Sequence, residues 1–302
     1  MNRSEVATVI AKVFADSVLQ HGPLPAVVDC YLGIANRVSR QQAEDPGKSL
    51  IIGLCGPQGS GKSTMAKVLE ALLRELHSFS VAILSLDDLY LPREARGRLA
   101  LEVHPLLITR GVPGTHDPAR GIEVIKRLAA ATPEMMTRLP RFDKEFDEPR
   151  AEARQPIFVG RPHIVILEGW CVGAAPEAAT ALAEPVNELE RVSDPDGRWR
   201  RYVNEQLAGR YQELFALIDL LIMLRSQNFE QIVSWRQEQE HQLAARLSLH
   251  YVDRDKLRIM NDDQVQEFVM LFERLTRHIA AEMPSRADIV VEIGASREIV
   301  KA

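Results

Sequence analysis

The sequence predicts an α/β protein with a doubly wound, five-stranded, mostly parallel sheet that carries helices on both faces. Three observations lead to this class. The chain has five short apolar runs, and each run is continuous rather than alternating, as expected of strands buried on both faces. Segments with helical periodicity lie between these runs, so strands and helices alternate. A length of 302 residues is sufficient for one enlarged domain of this kind.

The predicted strands and helices follow one another from residue 50 onward. The strands are Leu50–Cys55, Val81–Leu86, His163–Leu167, Ile218–Leu224 and Ile289–Ile293. The helices are Lys62–Leu76, Ala119–Ala131, Arg200–Phe215, Phe229–Leu247 and Asp263–Met283. Apolar residues of the last helix recur at helical spacing, so we assign that face to the core.

A helical extension is predicted ahead of the first strand, over residues 1–47. Val6–Gln20 and Pro25–Gln42 carry helical periodicity, and Asp45-Pro46-Gly47 then breaks the chain. The remaining residues, 48–302, are predicted to form the main domain. Two charged or proline-rich stretches of that domain are predicted to be insertions, near 138–161 and 173–197.

The composition predicts neither a nucleic-acid partner nor a membrane partner. The net charge is −5, whereas nucleic-acid-binding proteins usually carry a basic excess. The longest apolar stretch near a strand, Leu214–Leu224, contains Asp219 and is too short to span a membrane. The three cysteines lie far apart without metal-ligand spacing, which predicts reduced thiols and a cytoplasmic location. The oligomeric state is left open.

A glycine-rich segment follows the first predicted strand and matches the G-x-x-x-x-G-K-[ST] pattern. We name this segment the phosphate loop; its residues are Gly56, Pro57, Gln58, Gly59, Ser60, Gly61, Lys62, Ser63 and Thr64. Glycines let the backbone curl so that N–H groups point at an anion, and the following helix adds its positive dipole end. Lys62 is expected to act catalytically at the β- and γ-phosphates of ATP, and the Ser63 hydroxyl to bind Mg²⁺. Because a strand precedes the motif and a helix follows it, we predict a nucleotide site rather than an ordinary glycine-rich turn.

Acidic residues follow the second and third predicted strands, at the sheet edge where the phosphate loop is expected. Asp87 and Asp88 come after the second strand, and Glu168 comes after the third. Phosphoryl transfer requires carboxylates near the metal and often one that accepts the proton of the attacking hydroxyl. We therefore predict that Asp87 is the general base and that Glu168 organises Mg²⁺, directly or through water. As an alternative, Asp87 and Asp88 form a turn or a helix cap.

Two other classes of phosphate-loop protein are disfavoured by motifs that the sequence lacks. Asn-Lys-x-Asp, the guanine-specificity element of GTPases, does not occur, and neither does the Leu-Ser-Gly-Gly signature of ABC ATPases. The chain has instead Arg110–Asp117, a compact segment with a cation, two glycines and a proline that leads into a predicted helix.

Six segments occur in the order in which one kinase family carries them. They are Gly56–Ser63, Ser85–Tyr90, Arg110–Asp117, Pro140–Lys144, Glu168–Gly173 and Trp235–Glu240. In these segments the chain resembles the plant-type D-glycerate 3-kinase family, within the wider group of uridine kinase, phosphoribulokinase and pantothenate kinase relatives. The resemblance covers about residues 49–299. It implies the P-loop NTPase fold and a kinase that uses ATP and Mg²⁺ on a small hydroxylated substrate.

The resemblance also implies which residues surround the acceptor. In the wider group the first acidic residue after the second strand accepts the proton, which matches Asp87. Arg110–Asp117, named the acceptor loop below, and Pro140–Lys144 are implied to line the substrate site. The residues expected to bind the substrate are Asp88, Tyr90, Arg110, His116, Asp117, Arg141, Lys144 and Arg236.

The chemistry of D-glycerate agrees with these residue types. Its carboxylate can be held by Arg110, Arg141 or Lys144. Its hydroxyls can be bound by His116 and Asp117. Alternatively, Asp117 merely caps the helix that begins at Pro118.

The chain departs from the family's pattern after Lys144. Family members usually follow Asp-Lys with Ser and then with a Gly-rich stretch that ends in Gly-Asp-Arg. This chain has Glu145-Phe146-Asp147-Glu148-Pro149-Arg150 instead. The surroundings of the acceptor are therefore expected to be more acidic than in the family.

The helix beyond the fourth strand is predicted to close over the triphosphate as a mobile lid. Arg236 is its candidate for contact with a phosphate or with the acceptor. Alternatively, Arg236 forms an i,i+4 pair with Glu240 on a solvated face. Trp235 is expected to be a packing anchor.

Three functions remain open from the sequence. The leading hypothesis is a kinase that makes 3-phosphoglycerate from D-glycerate and ATP. The second is a kinase of the same architecture that acts on another alcohol, such as a nucleoside, pantothenate or a sugar acid. The third is a phosphate-loop ATPase that serves as a switch without a small acceptor, which the acceptor loop and Asp87 disfavour.

Overall fold

The computed structural model describes residues 3–15, 25–248 and 260–301. Its helices are α1 (Arg3–Ala15), α2 (Pro25–Glu44), α3 (Lys62–His77), α4 (Arg93–Glu102), α5 (Pro118–Ala129), α6 (Glu188–Ser193), α7 (Arg198–Gln206), α8 (Gln212–Phe215), α9 (Phe229–Ser248) and α10 (Asp262–Glu282). Its strands are β1 (Leu50–Cys55), β2 (Val81–Ser85), β3 (Met136–Arg138), β4 (Phe142–Asp143), β5 (Glu148–Pro149), β6 (Ile157–Val159), β7 (Ile164–Gly169), β8 (Leu220–Ser226), β9 (Ile289–Ile293) and β10 (Ile299–Lys301).

The central sheet has the strand order β10–β9–β8–β1–β7–β2. Five of these strands run parallel to their neighbours and correspond to the five predicted strands, which confirms the predicted α/β class with a mostly parallel sheet. β10 pairs antiparallel with β9 at one edge and adds a sixth strand to the five predicted. It was not predicted because three residues are too few to show a hydrophobic period.

The register of the sheet brings the predicted site residues to one edge. Ser85, the last residue of β2, lies opposite Glu168 of β7, and Leu54 of β1 lies on the other side of Glu168. β1 and β7 are buried at every position, as continuous apolar runs predict. Because parallel strands end at the same edge, the phosphate loop after β1 meets Asp87 and Glu168 there.

Helices cover both faces of the sheet, as predicted. One hydrophobic cluster joins the sheet to α1, α2, α3 and α9, and a second joins it to α5, α7 and α8. α10 contributes Val265 and Val269 to the first cluster and Leu271 and Phe272 to the second. The two clusters thus enclose the sheet between helical layers.

The first two helices pack against α3. Val6 and Ile10 of α1 and Val38 of α2 have no exposed surface, because they belong to the same cluster as the inner face of α3. Residues 16–20, the end of the predicted helix Val6–Gln20, lie outside the described residues. The division of the chain at residue 47 into an extension and a kinase domain stays a prediction.

Several elements differ from the prediction for physical reasons. Asp219 precedes β8, where its carboxylate accepts a hydrogen bond from Ile51 N at 2.8 Å. A π-helical turn at Leu207–Tyr211 separates α7 from α8, because Gly209 takes a non-helical conformation. α4 was not predicted, since Arg96 is its one buried residue and it lacks an apolar stripe.

The two predicted insertions contain short elements of their own. Residues 138–161 include most of two small antiparallel pairs, β3–β6 and β4–β5, and residues 173–197 include α6. Within residues 3–15, 25–248 and 260–301, no helix combines the length and hydropathy that a membrane crossing needs.

Candidate active site

The phosphate loop connects β1 to α3. Gly59 and Gly61 have φ angles of 78° and 89°, in the left-handed region that favours glycine. A Cβ on Gly59 would also lie 2.7 Å from the Cβ of Trp235, so the loop packs too closely for a side chain there. Residues 62–64 form the first turn of α3, whose unpaired N–H groups and positive dipole end suit an anion.

The turn between β9 and β10 braces the phosphate loop. Arg297 Nε donates a hydrogen bond to the carbonyl oxygen of Gly59 at 2.8 Å. The Arg297 guanidinium lies 5.7 Å from the ring centroid of Trp235, whose indole N–H donates to the carbonyl oxygen of Ala295 at 2.7 Å. Trp235 is 2% exposed and is therefore the packing anchor that we expected.

Ser63 and Glu168, the two predicted metal ligands, are in contact. The Ser63 hydroxyl donates to Glu168 Oε1 at 3.1 Å, and Glu168 Oε2 is buried without a hydrogen-bond partner. A buried carboxylate oxygen without a partner is costly, and Mg²⁺ prefers oxygen ligands and retains several waters. No group of three or more His, Cys, Asp or Glu suited to a metal occurs in the described part of the chain. The pair therefore fits a Mg²⁺ ion that takes few ligands from the protein.

Asp87 lies just beyond β2 with both carboxylate oxygens bonded. Lys144 Nζ donates to Oδ2 at 2.7 Å, and the Tyr90 hydroxyl donates to Oδ1 at 2.9 Å. Burial by itself raises the pKa of Asp87, but the positive charges of Lys144 and Lys62 outweigh that effect and hold the pKa well below its ordinary value. Asp87 is thus ionised at neutral pH, between the phosphate loop and Lys144.

Asp88 anchors the segment that carries Lys144. Its Oδ1 accepts a hydrogen bond from Phe142 N at 3.0 Å, and its Oδ2 accepts one from Arg141 Nη1 at 3.2 Å. Burial raises the pKa of Asp88, although the bond from Phe142 and the charge of Arg141 oppose it. The two adjacent aspartates therefore differ, since Asp88 fixes a loop and Asp87 faces Lys144.

His116 is buried beside Asp87 in one tautomer. The Tyr211 hydroxyl accepts a hydrogen bond from Gly114 N at 3.1 Å, so it donates its own proton to His116 Nδ1 at 2.7 Å. Burial lowers the pKa of His116 to about 4, against the opposing charge of Asp87, so the ring is neutral at pH 7. We therefore assign the ring proton to Nε2, which is buried without a partner in the described structure. The Tyr90 ring stacks on this imidazole, with the two ring centroids 4.5 Å apart.

Arg110 is paired with a carboxylate of the chain itself. Arg110 Nη1 donates to Asp147 Oδ1, and Arg96 Nη2 lies 2.6 Å from Asp147 Oδ2. The Arg110 guanidinium lies 5.6 Å from the ring centroid of Phe142. The acidic departure after Lys144 thus supplies a carboxylate next to the acceptor loop.

Asp117 and Arg236 make the structural contacts that were predicted as alternatives to substrate binding, namely a helix cap and an i,i+4 ion pair. Asp117 caps α5, because its Oδ1 accepts a hydrogen bond from Arg120 N at 3.0 Å. Arg236 pairs with Glu240 in the i,i+4 arrangement and lies 5.4 Å from the ring centroid of Phe268. These contacts do not include the phosphate loop or the acceptor loop, so substrate binding by Asp117 and Arg236 stays a prediction.

Four residues at the site were not predicted: Arg96, Asp147, Tyr211 and Arg297. The contacts Arg110–Asp147, His116–Tyr211 and Gly59–Arg297 join residues that are 37, 95 and 238 positions apart. Sequence spacing carries no signal for contacts of this range. Only Asp147 had a signal, since it belongs to the segment that departs from the family's pattern.

Comparison with known proteins gives kinases in sequence and in structure. No family model matches the chain. The chain is 33% identical over 245 residues to the uncharacterized kinase mug58 of Schizosaccharomyces pombe, which covers 76% of this chain and 80% of that protein. It is 27% identical over 281 residues to the chloroplastic D-glycerate 3-kinase of Arabidopsis thaliana, which covers 89% of this chain and 57% of that protein. A solved D-glycerate 3-kinase from Cryptococcus neoformans superposes with a TM-score of 0.72 at 24% identity, over 90% of this chain and 98% of that chain.

These likenesses cover most of this chain and most of the kinases that it matches in sequence and in structure. The sequence match to mug58 spans about three quarters of each protein, and the solved structure shares the fold over most of both chains. The chain belongs to the plant-type D-glycerate 3-kinase family of P-loop kinases.

Proposed function

We propose that the chain transfers the γ-phosphoryl group of ATP to D-glycerate and forms 3-phosphoglycerate. The observation that carries this proposal is the position of Asp87. It is an ionised carboxylate bonded to Lys144 and Tyr90, and it lies within the field of Lys62 from the phosphate loop. A carboxylate between a phosphate site and a cation-rich loop has the placement of a group that receives a substrate hydroxyl.

Asp87 orients the attacking hydroxyl and takes its proton. Transfer of a phosphoryl group passes through a loose transition state, in which the nucleophile needs positioning more than strong activation. A carboxylate with a low pKa remains ionised at neutral pH and can hold the hydroxyl in place. It is a weak base, so it takes the proton late, when the attacking oxygen has bonded to phosphorus and its proton has become acidic.

The donor side uses the phosphate loop and the contact between Ser63 and Glu168. The loop's N–H groups and Lys62 hold the phosphates of ATP. Ser63 and Glu168 would hold Mg²⁺, which when bound offsets the charge of the phosphate oxygens.

The acceptor side offers one neutral donor and several cations. His116 Nε2 is a buried N–H group without a partner, suited to a substrate hydroxyl. Lys144 and Arg141 lie on the segment that Asp88 anchors, and the Lys144 side chain is 59% exposed. These cations support an acceptor that carries a carboxylate.

The test is a screen of acceptors with mass detection of the phosphorylated product. We expect D-glycerate to give a product 80 mass units heavier, about the mass of one added phosphoryl group. ATP consumption in the presence of D-glycerate should exceed the background measured without acceptor. The Lys62→Ala variant should give no phosphorylated product.

The same screen separates the other two hypotheses. If a nucleoside, pantothenate or a sugar acid is phosphorylated and D-glycerate is not, the architecture is right and the acceptor is wrong. If ATP is hydrolysed slowly and no acceptor gains a phosphoryl group, the chain is an ATPase switch, and the role of Asp87 proposed here is wrong.

A further inference from the structure

Asp147 lies between two guanidinium groups next to the acceptor loop. Arg96 Nη2 is 2.6 Å from its Oδ2, and Arg110 Nη1 donates to its Oδ1. Burial by itself raises the pKa of Asp147, but the hydrogen bonds from Arg96 and Arg110 outweigh it and leave the pKa below its ordinary value. The hairpin of β4 and β5 thus holds an ionised carboxylate against Arg110.

The two arginines differ in exposure and therefore in their ability to contact a ligand. Arg96 is 2% exposed at its side chain and also donates to three backbone carbonyl oxygens, so its position is fixed. Arg110 is 31% exposed, and Asp147 is its one carboxylate partner among the described residues. Arg110 therefore has surface that a ligand can reach, while Arg96 holds Asp147 in place.

Arg110 belongs to the same group of side chains as Asp87. The Phe142 ring, next to the Arg110 guanidinium, meets the Tyr90 ring edge-on at 5.2 Å. The Tyr90 hydroxyl in turn donates to Asp87. The presence or absence of the Asp147 carboxylate beside Arg110 therefore changes the electrostatic potential on the acceptor side of the site. The protein screens this charge less than bulk water would.

We propose that Asp147 is a specificity-determining residue, because it competes with the carboxylate of the acceptor for Arg110. The inference rests on the proposed function, since it assumes a hydroxy-acid acceptor. With Asp147 bound, Arg110 offers an incoming carboxylate less net attraction. The chain should then distinguish less strongly between a hydroxy acid and its neutral isostere than a chain without this carboxylate would.

Asp147→Asn tests the inference with little change of shape. Asp147 has a φ angle of 58°, which asparagine tolerates well. Calorimetry would measure the dissociation constants of D-glycerate and of D-glyceramide, its neutral amide isostere, with the wild type and the variant. We expect the variant to bind D-glycerate about tenfold more tightly, because one charge-assisted hydrogen bond becomes free. The binding of D-glyceramide should be unchanged.

Glu145→Gln is the matched control. It removes the same charge from the same hairpin at an exposed position two residues away. Its ratio of the two dissociation constants should equal that of the wild type. A melting temperature for each variant checks that the hairpin's change has not unfolded the protein.

The outcomes separate the inference from the proposed function. If Asp147→Asn alters the binding of both ligands equally, weakens D-glycerate, or matches Glu145→Gln, Asp147 does not set specificity. Absence of detectable D-glycerate binding in all variants overturns the inference as well. If D-glycerate binds more tightly to the variant but neither form phosphorylates it, the inference holds and the proposed acceptor is wrong.

Discussion

Asp87 receives hydrogen bonds on both carboxylate oxygens and still has room for a third donor. Lys144 and Tyr90 each occupy one lone pair of one oxygen, and an ionised carboxylate offers about four such positions. A substrate hydroxyl can therefore bind without displacing either residue. The low pKa of Asp87 follows from this arrangement and from the positive charge of Lys62. The carboxylate that we propose as the base is therefore coupled electrostatically to the phosphate loop.

Asp87→Asn should lower kcat by about 10²–10⁴-fold and leave the affinity for ATP within a few-fold of the wild type. The amide retains the shape of the side chain but can no longer take a proton. Steady-state kinetics at saturating acceptor, together with a titration of ATP binding, would measure both effects. A loss of ATP affinity as large as the loss of kcat would instead assign Asp87 to the metal.

The buried His116 predicts a dependence of stability on pH. Its pKa is lowered to about 4 in the folded chain and returns to about 6.5 on unfolding, so between these values the unfolded chain binds the extra proton. The free energy of unfolding should therefore decrease as the pH falls from about 6.5 to about 4, by at most about 1.4 kcal/mol per pH unit from this residue. Urea unfolding at pH 7, 6 and 5 would measure the slope. His116→Gln should flatten it, and equal slopes in the two proteins would contradict the assignment.

The β4–β5 hairpin carries residues that we propose line the acceptor site. Asp88 holds its first strand through Phe142 N and Arg141, while Asp147 holds its other end against Arg96 and Arg110. Two strands of two residues each are too short to fold alone, so these ion pairs and hydrogen bonds fix the hairpin. Lys144 lies between the two anchors and is therefore presented to Asp87.

Arg297, in the turn between β9 and β10, is expected to affect ATP binding although it lies outside the phosphate loop. Arg297→Ala should raise the KM for ATP by about tenfold, because the hydrogen bond to the Gly59 carbonyl and the contact with Trp235 are both lost. The KM for the acceptor should change little. Lys301→Ala on the exposed part of the same hairpin is the control and should behave as the wild type. Equal changes in both KM values would show a general loss of structure instead.

At the scale of the whole molecule, the sheet and its ligand-binding edge could be predicted because they depend on local pattern. Buried parallel strands appear as continuous apolar runs, and the acids at the carboxyl ends of β2 and β7 must share the edge of the phosphate loop. β10 and α4 could not be predicted, since one is too short and the other too polar to show a period. The pairing of Arg110 with Asp147 depends on how a hairpin folds back over 37 residues, which no local pattern encodes.

Binding of ATP should stabilise the folded chain as a whole. At 100 times the dissociation constant, a ligand of the folded state adds about 2.7 kcal/mol, which corresponds to a rise on the order of 5 °C in melting temperature for a chain of this size. Lys62→Ala should melt at the wild-type temperature without ATP, because Lys62 is only partly buried, in the first turn of α3. The variant should show a much smaller rise with ATP. A thermal shift series with ATP would measure both. A full rise in the variant would remove Lys62 from the ATP site.

The bond from Arg297 to Gly59 spans 238 residues, and this separation has a consequence during synthesis. At ribosomal rates of 5–20 residues per second, the phosphate loop precedes its brace by roughly 10–50 s. A nascent chain therefore carries the complete phosphate-binding motif well before the loop acquires its final support. We therefore expect tight nucleotide binding to come late in the folding of this protein. ATP should stabilise the completed chain and add little stability to a chain that is still being synthesised.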